Sequence, residues 1–368
     1  MHPPVAKIAF LIADLGRGGA ERVGLSLIQG FVARGHQVDL LLMRHFGVFL
    51  EKLPPEVRII NLDARRIRNV IRPLTDYLRR ERPDAMQVSM WPLPIAAIIA
   101  RWLARVPTRI VLSEHSALSR QYGGSAATMA FLKASTRLFY PLADHVVTVS
   151  EGSAADLVRL SGLKAKRVTT IHNPIAQPSE AFVPNPAPAD AWPPARYRLL
   201  SVGALKPEKN HKLLIESFAE LVRDTDASLL ILGEGEERPA LEALVARLGL
   251  QERVRLPGFT FETWSYYATA SLFVLASDFE GFGNVLVEAL AFGLPIVSTD
   301  CDFGPREILE GGKLGSLVPC GSADALAHAM REALIKSVDH ERLKAHAREF
   351  VEDRATERYL ELLLGKPQ

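Results

Sequence analysis

Apolar runs alternate with amphipathic segments along almost the whole chain, and this leaves few folds open to it. Ile8–Ala13, Gln37–Met43, Arg58–Leu62, Asp84–Val88, Arg109–Ser113 and His145–Ser150 read as strands. Between them Ala20–Ala33, Arg68–Arg82, Ile95–Leu103 and Thr128–Phe139 carry helical spacing, and Gly35 stops the first of these. A strand that is apolar at successive positions, not at every second one, must be covered on both faces. That is the mark of a parallel sheet between two helical layers. The pattern breaks between Pro174 and Pro194, where seven prolines and few apolar residues predict an extended, semi-rigid linker. A second alternating series follows, with strands expected at Leu199–Val202, Ser228–Leu232, Val254–Leu256, Leu272–Leu275, Ile296–Ser298 and Ser316–Val318. No sequence period repeats, which excludes a solenoid. The expectation is α/β: two doubly wound parallel-sheet domains, residues 1–175 and 198–349, joined by a Pro-rich linker over 176–197. Ligands of such sheets bind beyond the carboxyl ends of the strands. Two such domains are expected to face each other across a cleft.

Composition removes several function classes. The chain has 368 residues, long for one core and comfortable for two. A net charge of +2 offers no basic excess for a nucleic-acid partner. Two cysteines, Cys301 and Cys320, make neither a disulfide framework nor a metal site, and leave one chance disulfide open. The N-terminus lacks a basic leader, and its apolar run ends in Asp14, as a first buried strand would. The longest apolar stretch, Pro94–Val106, is interrupted by Arg101 and Arg105, short of the roughly 20 residues a membrane span needs. A cytoplasmic location is expected.

The richest chemistry lies in Ser271–Gly293. Glu280 ends a strand, Glu288 lies about one turn into a helix, and Gly281, Phe282, Gly283, Asn284 and Val285 form the turn between them. A carboxylate suits a sugar diol, and amides at a helix start suit a phosphate. Stabilisation of each carboxylate by the helix dipole alone would explain either glutamate but not the pair. Together they fit an anionic diphosphate flanked by two sugars.

Other positions are more balanced. Lys209, in Val202-Gly-Ala-Leu-Lys-Pro-Glu-Lys-Asn210, follows a strand and precedes a helix, where a lysine reaches a phosphate as a point charge. A solvated loop lysine is the plain alternative, and Lys206 competes for the role. Gly16-Arg-Gly-Gly19 allows close backbone approach to an anion or simply a tight turn, and it matches neither Gly-x-Gly-x-x-Gly nor a Walker A loop. His115 ends a strand of the first domain and either faces a ligand or is a hydrogen-bonded structural histidine. Asp224-Thr-Asp226 and Asp300-Cys-Asp302 have the Asp-x-Asp pattern of some metal-dependent transferases, but neither has a clustered third ligand, and no metal is assigned. The arginines of Arg65–Arg82 form either a solvated helix face or a basic amphipathic surface for an anionic membrane.

Glu280-(seven residues)-Glu288 within Glu-Gly-Phe-Gly-Asn-Val-Leu-Val-Glu-Ala-Leu resembles the signature of the retaining glycosyltransferases of family 4. Gly18-Gly-Ala-Glu-Arg22, Val202–Asn210, Leu232-Gly-Glu-Gly235, Arg255-Leu-Pro-Gly-Phe259 and Ser298–Glu307 support it, most densely from Arg198 to Val318. The resemblance implies a GT-B fold, with the last helix, within 350–368, crossing back to the first domain. It implies that Glu288 binds the ribose and Glu280 the transferred sugar. Gly283, Asn284 and Val285 would hold the diphosphate with Lys209, backbone near Phe259 would meet the base, and Gly18 and Gly19 would approach the phosphate. His115 corresponds loosely to a sugar-contacting histidine. Where the family often has an arginine, this chain has Ala204, so one phosphate cation is missing, with Lys206 or Arg306 as substitutes.

The implied reaction is metal-independent transfer, without a cofactor, from a nucleotide diphosphate sugar, UDP favoured over GDP, to a glycan or lipid-linked glycan. Envelope polysaccharide assembly on the inner face of a bacterial membrane is the expected setting. A nucleotide-sugar epimerase of the same fold and a non-catalytic binding subunit remain as alternatives. A dinucleotide-dependent oxidoreductase lacks its glycine motif.

Overall fold

The computed structural model describes residues 5–179, 181–184 and 191–365. Residues 180 and 185–190 of the expected linker lie outside the described residues. The chain divides into two compact units, Met1–Pro174 with Glu352–Gln368, and Ile175–Val351.

The first unit is built on β1 (Lys7–Ile12), β2 (Gln37–Leu42), β3 (Arg58–Asn61), β4 (Ala85–Ser89), β5 (Arg109–Glu114), β6 (His145–Thr148) and β7 (Val168–Thr170). They form one sheet in the order β3-β2-β1-β4-β5-β6-β7, paired in parallel throughout. The uninterrupted apolar runs have the expected cause. Along β1, Ile8, Phe10 and Ile12 enter one hydrophobic cluster, with Val23, Leu27, Ile28 and Phe31 of the Gly19–Ala33 helix. Ala9 and Leu11 enter the other, with Val70, Leu74, Tyr77 and Leu78 of the Ile67–Glu81 helix. Successive side chains point to opposite faces, and both faces are buried.

The chain's last helix, Glu352–Leu364, packs on this unit. It buries Ala355, Tyr359, Leu360, Leu362 and Leu363 in the cluster that contains β1. Arg34 pairs with Asp353 at 3.1 Å, and Arg109 Nε donates to the Leu362 carbonyl at 2.6 Å.

One detail of this unit differs from the sequence reading. β7 has no counterpart there, because Val168-Thr-Thr170 is a three-residue, half-buried edge strand with a single apolar side chain. The basic segment forms the Ile67–Glu81 helix, whose apolar side chains are committed to the core. Both readings of Arg65–Arg82, a solvated helix face and a basic membrane surface, place the arginines outward, and the arginines are exposed.

The second unit contains β8 (Tyr197–Val202), β9 (Ala227–Leu232), β10 (Val254–Gly258), β11 (Leu272–Leu275), β12 (Ile296–Thr299) and β13 (Ser316–Val318). The order is β10-β9-β8-β11-β12-β13, again parallel. Strand order reverses between β8 and β11. A crevice forms at such a switch point, outside the carboxyl ends of the two strands, and ligands of open α/β sheets bind there.

Candidate functional site

Lys209 and Glu280 leave the carboxyl ends of β8 and β11, and the fold brings them into contact. After β8 the chain makes a short 3-10 turn, Pro207–Lys209, and Asn210 enters the left-handed region at φ 44°. Asparagine tolerates that conformation because its short amide bonds locally. Its Oδ1 accepts from Leu213 N at 3.1 Å and caps the His211–Leu221 helix. Its Nδ2 donates to Asp278 Oδ1 at 2.9 Å, and Asp278 N donates to the Glu208 carbonyl at 2.9 Å. Two of these bonds tie the loop after β8 to the loop after β11, and the cap anchors the first loop to its helix, which together fix where Lys209 emerges.

Lys209 Nζ donates to both oxygens of Glu280, at 2.6 and 2.7 Å. Ser277 Oγ donates to Glu280 Oε1 at 2.7 Å, and Ser277 is itself held by Thr299 Oγ1, which donates to its carbonyl at 2.6 Å. Glu280 is 7% exposed and the Lys209 side chain 23%. A carboxylate this buried is tolerated because cation and hydroxyl replace water at its oxygens.

Gly281-Phe-Gly283 then turns the chain into the Asn284–Ala291 helix. Gly283 sits at φ 100°, a conformation L side chains rarely adopt. The loop after β12 packs on this turn so closely that a Cβ at Gly304 would lie 1.7 Å from the Phe282 carbonyl oxygen. Asn284 and Val285 open the helix, whose aligned peptide dipoles place partial positive charge there.

Glu288, further along that helix, is 4% exposed. Tyr267 OH donates to its Oε2 at 2.8 Å, and the Tyr267 ring stacks on Phe292 at 5.7 Å and 10°. Phe259 follows β10 and packs edge-on against Phe261, with centroids 5.1 Å apart.

The structure thus joins Lys209 to Glu280, and the Gly281–Val285 turn leads from Glu280 into the helix that carries Glu288. Of the suggested substitutes for the cation missing at Ala204, Arg306 is paired with Asp300, its Nε donating to Oδ1 at 3.1 Å, and Lys206 is exposed. In the other Asp-x-Asp stretch, Asp224 is bound by Arg331 and Asp226 by Arg253. Among the described residues no group of three or more His, Cys, Asp or Glu is placed to hold a metal ion. Cys301 and Cys320 are both free thiols.

Gly18, Gly19 and His115 belong to the first unit. Gly18 and Gly19 begin the helix that follows β1. His115 follows β5, its Nε2 2.7 Å from Ser113 Oγ. Burial pushes its pKa down to about 4, partly offset by Asn173, so the ring is neutral at pH 7.

Four side chains escaped the sequence reading. Tyr267 and Ser277 hold the two glutamates. His211 lies buried at the start of its helix, its pKa pushed down to about 4 by burial and by neighbouring Lys209. Glu114, at the end of β5, is fully buried; its carboxylate accepts from Tyr140 OH and from Trp91 N at 3.1 Å. Burial pushes its pKa up to about 7 against those two bonds. Tyr267 and His211 carry no local signal, since each is identified by a partner distant in sequence or by burial, whereas Ser277 lies three residues before its partner Glu280. A glutamate ending an apolar strand, as Glu114 does, was a signal available in the sequence.

The family model for group 1 glycosyl transferases matches residues 188–350, and that for Glycosyltransferase Family 4 matches residues 17–176. Over 98% of this chain and all of the relative, it is 30% identical to the N-acetylgalactosamine-N,N'-diacetylbacillosaminyl-diphospho-undecaprenol 4-alpha-N-acetylgalactosaminyltransferase of Campylobacter jejuni. It is 27% identical to the lipopolysaccharide core biosynthesis glycosyltransferase LpsE of Rhizobium meliloti, over 95% of this chain and 97% of that one. Among solved structures, HepE of Anabaena in complex with UDP and glucose superposes with a TM-score of 0.83 at 20% identity, covering 98% of this chain and 100% of that one. The apo lipopolysaccharide outer core galactosyltransferase WaaB gives a TM-score of 0.75 at 21% identity, with the same coverage.

Proposed function

We propose, from the premise that this chain belongs to the family 4 glycosyltransferases, that it moves a sugar from a nucleotide diphosphate sugar to an acceptor hydroxyl with retention of configuration. The chain is a glycosyltransferase with the GT-B fold. The observation that carries the finer reading is the meeting of Lys209 with Glu280 at the switch point of the second sheet, with Glu288 on the helix that follows.

In this reading Glu288 receives the ribose hydroxyls and Glu280 the hydroxyls of the transferred sugar. Lys209 and the amides of Gly283, Asn284 and Val285 take the diphosphate, Gly281 and Phe282 shape the turn, and backbone at Phe259 meets the base. The bond from the anomeric carbon to the phosphate oxygen breaks as the acceptor oxygen bonds the same face. The acceptor proton passes to the departing phosphate. Negative charge grows on that phosphate in the transition state, and Lys209 and the helix start, both engaged with the diphosphate once the donor is bound, stabilise it. No carboxylate pair acts as nucleophile and acid, and the scheme needs neither metal nor cofactor. In the first unit, Gly18 and Gly19 are assigned to phosphate approach, and neutral His115 offers an uncharged hydrogen-bonding group to sugar or acceptor.

The relatives favour a substrate class. The Campylobacter jejuni enzyme is named for a sugar on diphospho-undecaprenol, LpsE for lipopolysaccharide core, and HepE was solved with UDP. A UDP-sugar donor, a lipid-linked glycan acceptor and a role in envelope polysaccharide assembly follow as the reading for this chain. No helix among the described residues is long and apolar enough to cross a membrane. A position at the inner membrane face is therefore proposed as peripheral.

The test is incubation with UDP-sugars and an undecaprenyl-diphosphate-linked acceptor, following nucleotide release and the product anomer by NMR. Acceptor-dependent UDP release and a retained anomer are expected. Conversion of the donor with no acceptor present would point to the epimerase, and binding without turnover to a non-catalytic subunit.

A further inference from the structure

The cation assigned to the diphosphate and the carboxylate assigned to the sugar are bonded to each other in this structure, through both oxygens of Glu280. From this we propose that the Lys209–Glu280 pair is a gate that an intact sugar donor opens readily and a bare nucleoside diphosphate opens only against resistance. The inference rests on the donor reading above and deepens it by naming how the site tells donor from product.

The argument is one of replacement. A diphosphate arriving near Lys209 draws the ammonium away from Glu280. The carboxylate, 7% exposed, then keeps only the Ser277 hydroxyl among the side chains that donate to it in the described residues. A buried anion stripped of its cation is strongly disfavoured unless new donors arrive. An intact donor brings them, since its sugar hydroxyls reach Glu280 as its diphosphate reaches Lys209. A nucleoside diphosphate brings only more negative charge. The pair therefore opposes the product more than the substrate and favours release after transfer. Ser277, fully buried, is the positioning residue that keeps Glu280 in place while Lys209 is away.

The experiment is calorimetric titration of the full chain with UDP and with GDP, then with UDP-N-acetylgalactosamine and UDP-glucose. Five forms are compared: wild type, Glu280→Gln, Lys209→Met, Ser277→Ala and the Ser277→Ala/Glu280→Gln double variant. Glu280→Gln removes the charge that holds Lys209 and is expected to tighten binding of the bare diphosphate about tenfold, while the sugar donor gains less or loses. Lys209→Met is expected to weaken both. Ser277→Ala makes Glu280 more dependent on Lys209 and is expected to weaken the bare diphosphate. That loss should vanish when Glu280→Gln is added, which a merely structural role for Ser277 would not produce. If the wild type binds UDP or GDP, Lys209→Met weakens that binding, and Glu280→Gln leaves it equal or weaker, the gate is overturned while the donor site stands. If no nucleoside diphosphate binds the wild type, or Lys209→Met has no effect, the donor reading falls and the gate falls with it.

Discussion

Glu288 accepts a hydrogen bond from a phenol, and this fixes what that neighbour can change. Tyr267 OH lies 2.8 Å from Oε2, inside a side-chain pair that solvent barely reaches. Removing a donor from a buried carboxylate costs about 1–3 kcal/mol. Tyr267→Phe should thus lower stability by that order, seen as a shift in urea midpoint, and weaken a UDP-sugar several-fold by calorimetry. Unchanged affinity would remove Tyr267 from the site. At this scale the sequence exposed the charges and hid what holds them. Glu280, Glu288 and Lys209 were readable because a charged residue at the end of an apolar strand or the start of a helix needs a reason. Tyr267 lies in another helix, so only the fold identifies it as a partner, while Ser277 lies three residues before Glu280 and only its burial sets it apart from other serines.

Between residue and domain, the loops after β8 and the end of β5 carry the most consequence. Asn210→Ala removes the cap of the His211–Leu221 helix, the bond to Asp278 and a residue suited to φ 44°. A lost cap alone costs about 1 kcal/mol, so a fall of roughly 1–2 kcal/mol is expected in chemical denaturation. Donor binding should weaken too, because Lys209 precedes Asn210. Glu114 makes stability depend on pH. Its carboxyl ionises near 7 when folded against an ordinary value of 4.5, so between those values the folded chain holds a proton that the unfolded chain has lost. The contribution is favourable below pH 4.5 and is lost as pH rises toward 7, to a limit of roughly 3 kcal/mol. Glu114→Gln carries no such charge, so wild type should lose stability relative to it across that window in thermal melts. A flat difference would place Glu114 among ordinary ionised carboxylates. The elements themselves were largely legible, since most strands of both units are apolar runs bounded by turn residues. β7 was not, because a short edge strand buries too little to leave a pattern.

On the scale of the whole chain, the first unit is completed by its most distant segment. Glu352–Leu364 supplies Ala355, Tyr359, Leu360, Leu362 and Leu363 to the cluster around β1. Burial of a large apolar side chain contributes about 1.5–3 kcal/mol, and whole domains are stable by only about 5–15 kcal/mol. Ending the chain at Val351 should therefore leave the first unit unfolded or aggregated, detected by rapid proteolysis of residues 5–174 and by dye binding to exposed apolar surface. The two-sheet architecture followed from alternation and the proline-rich break. The bond between Lys209 and Glu280 did not, because it depends on β8 and β11 being neighbours although two strands separate them in sequence.

The central claim is that Glu280, Glu288 and the turn between them grip a nucleotide diphosphate sugar, and calorimetric titration of Glu288→Ala tests it most directly. With whichever UDP- or GDP-sugar binds the wild type best, loss of the ribose carboxylate should weaken affinity about tenfold or more in a protein that still melts cooperatively. A folded Glu288→Ala protein that binds the donor as tightly as wild type would contradict the account.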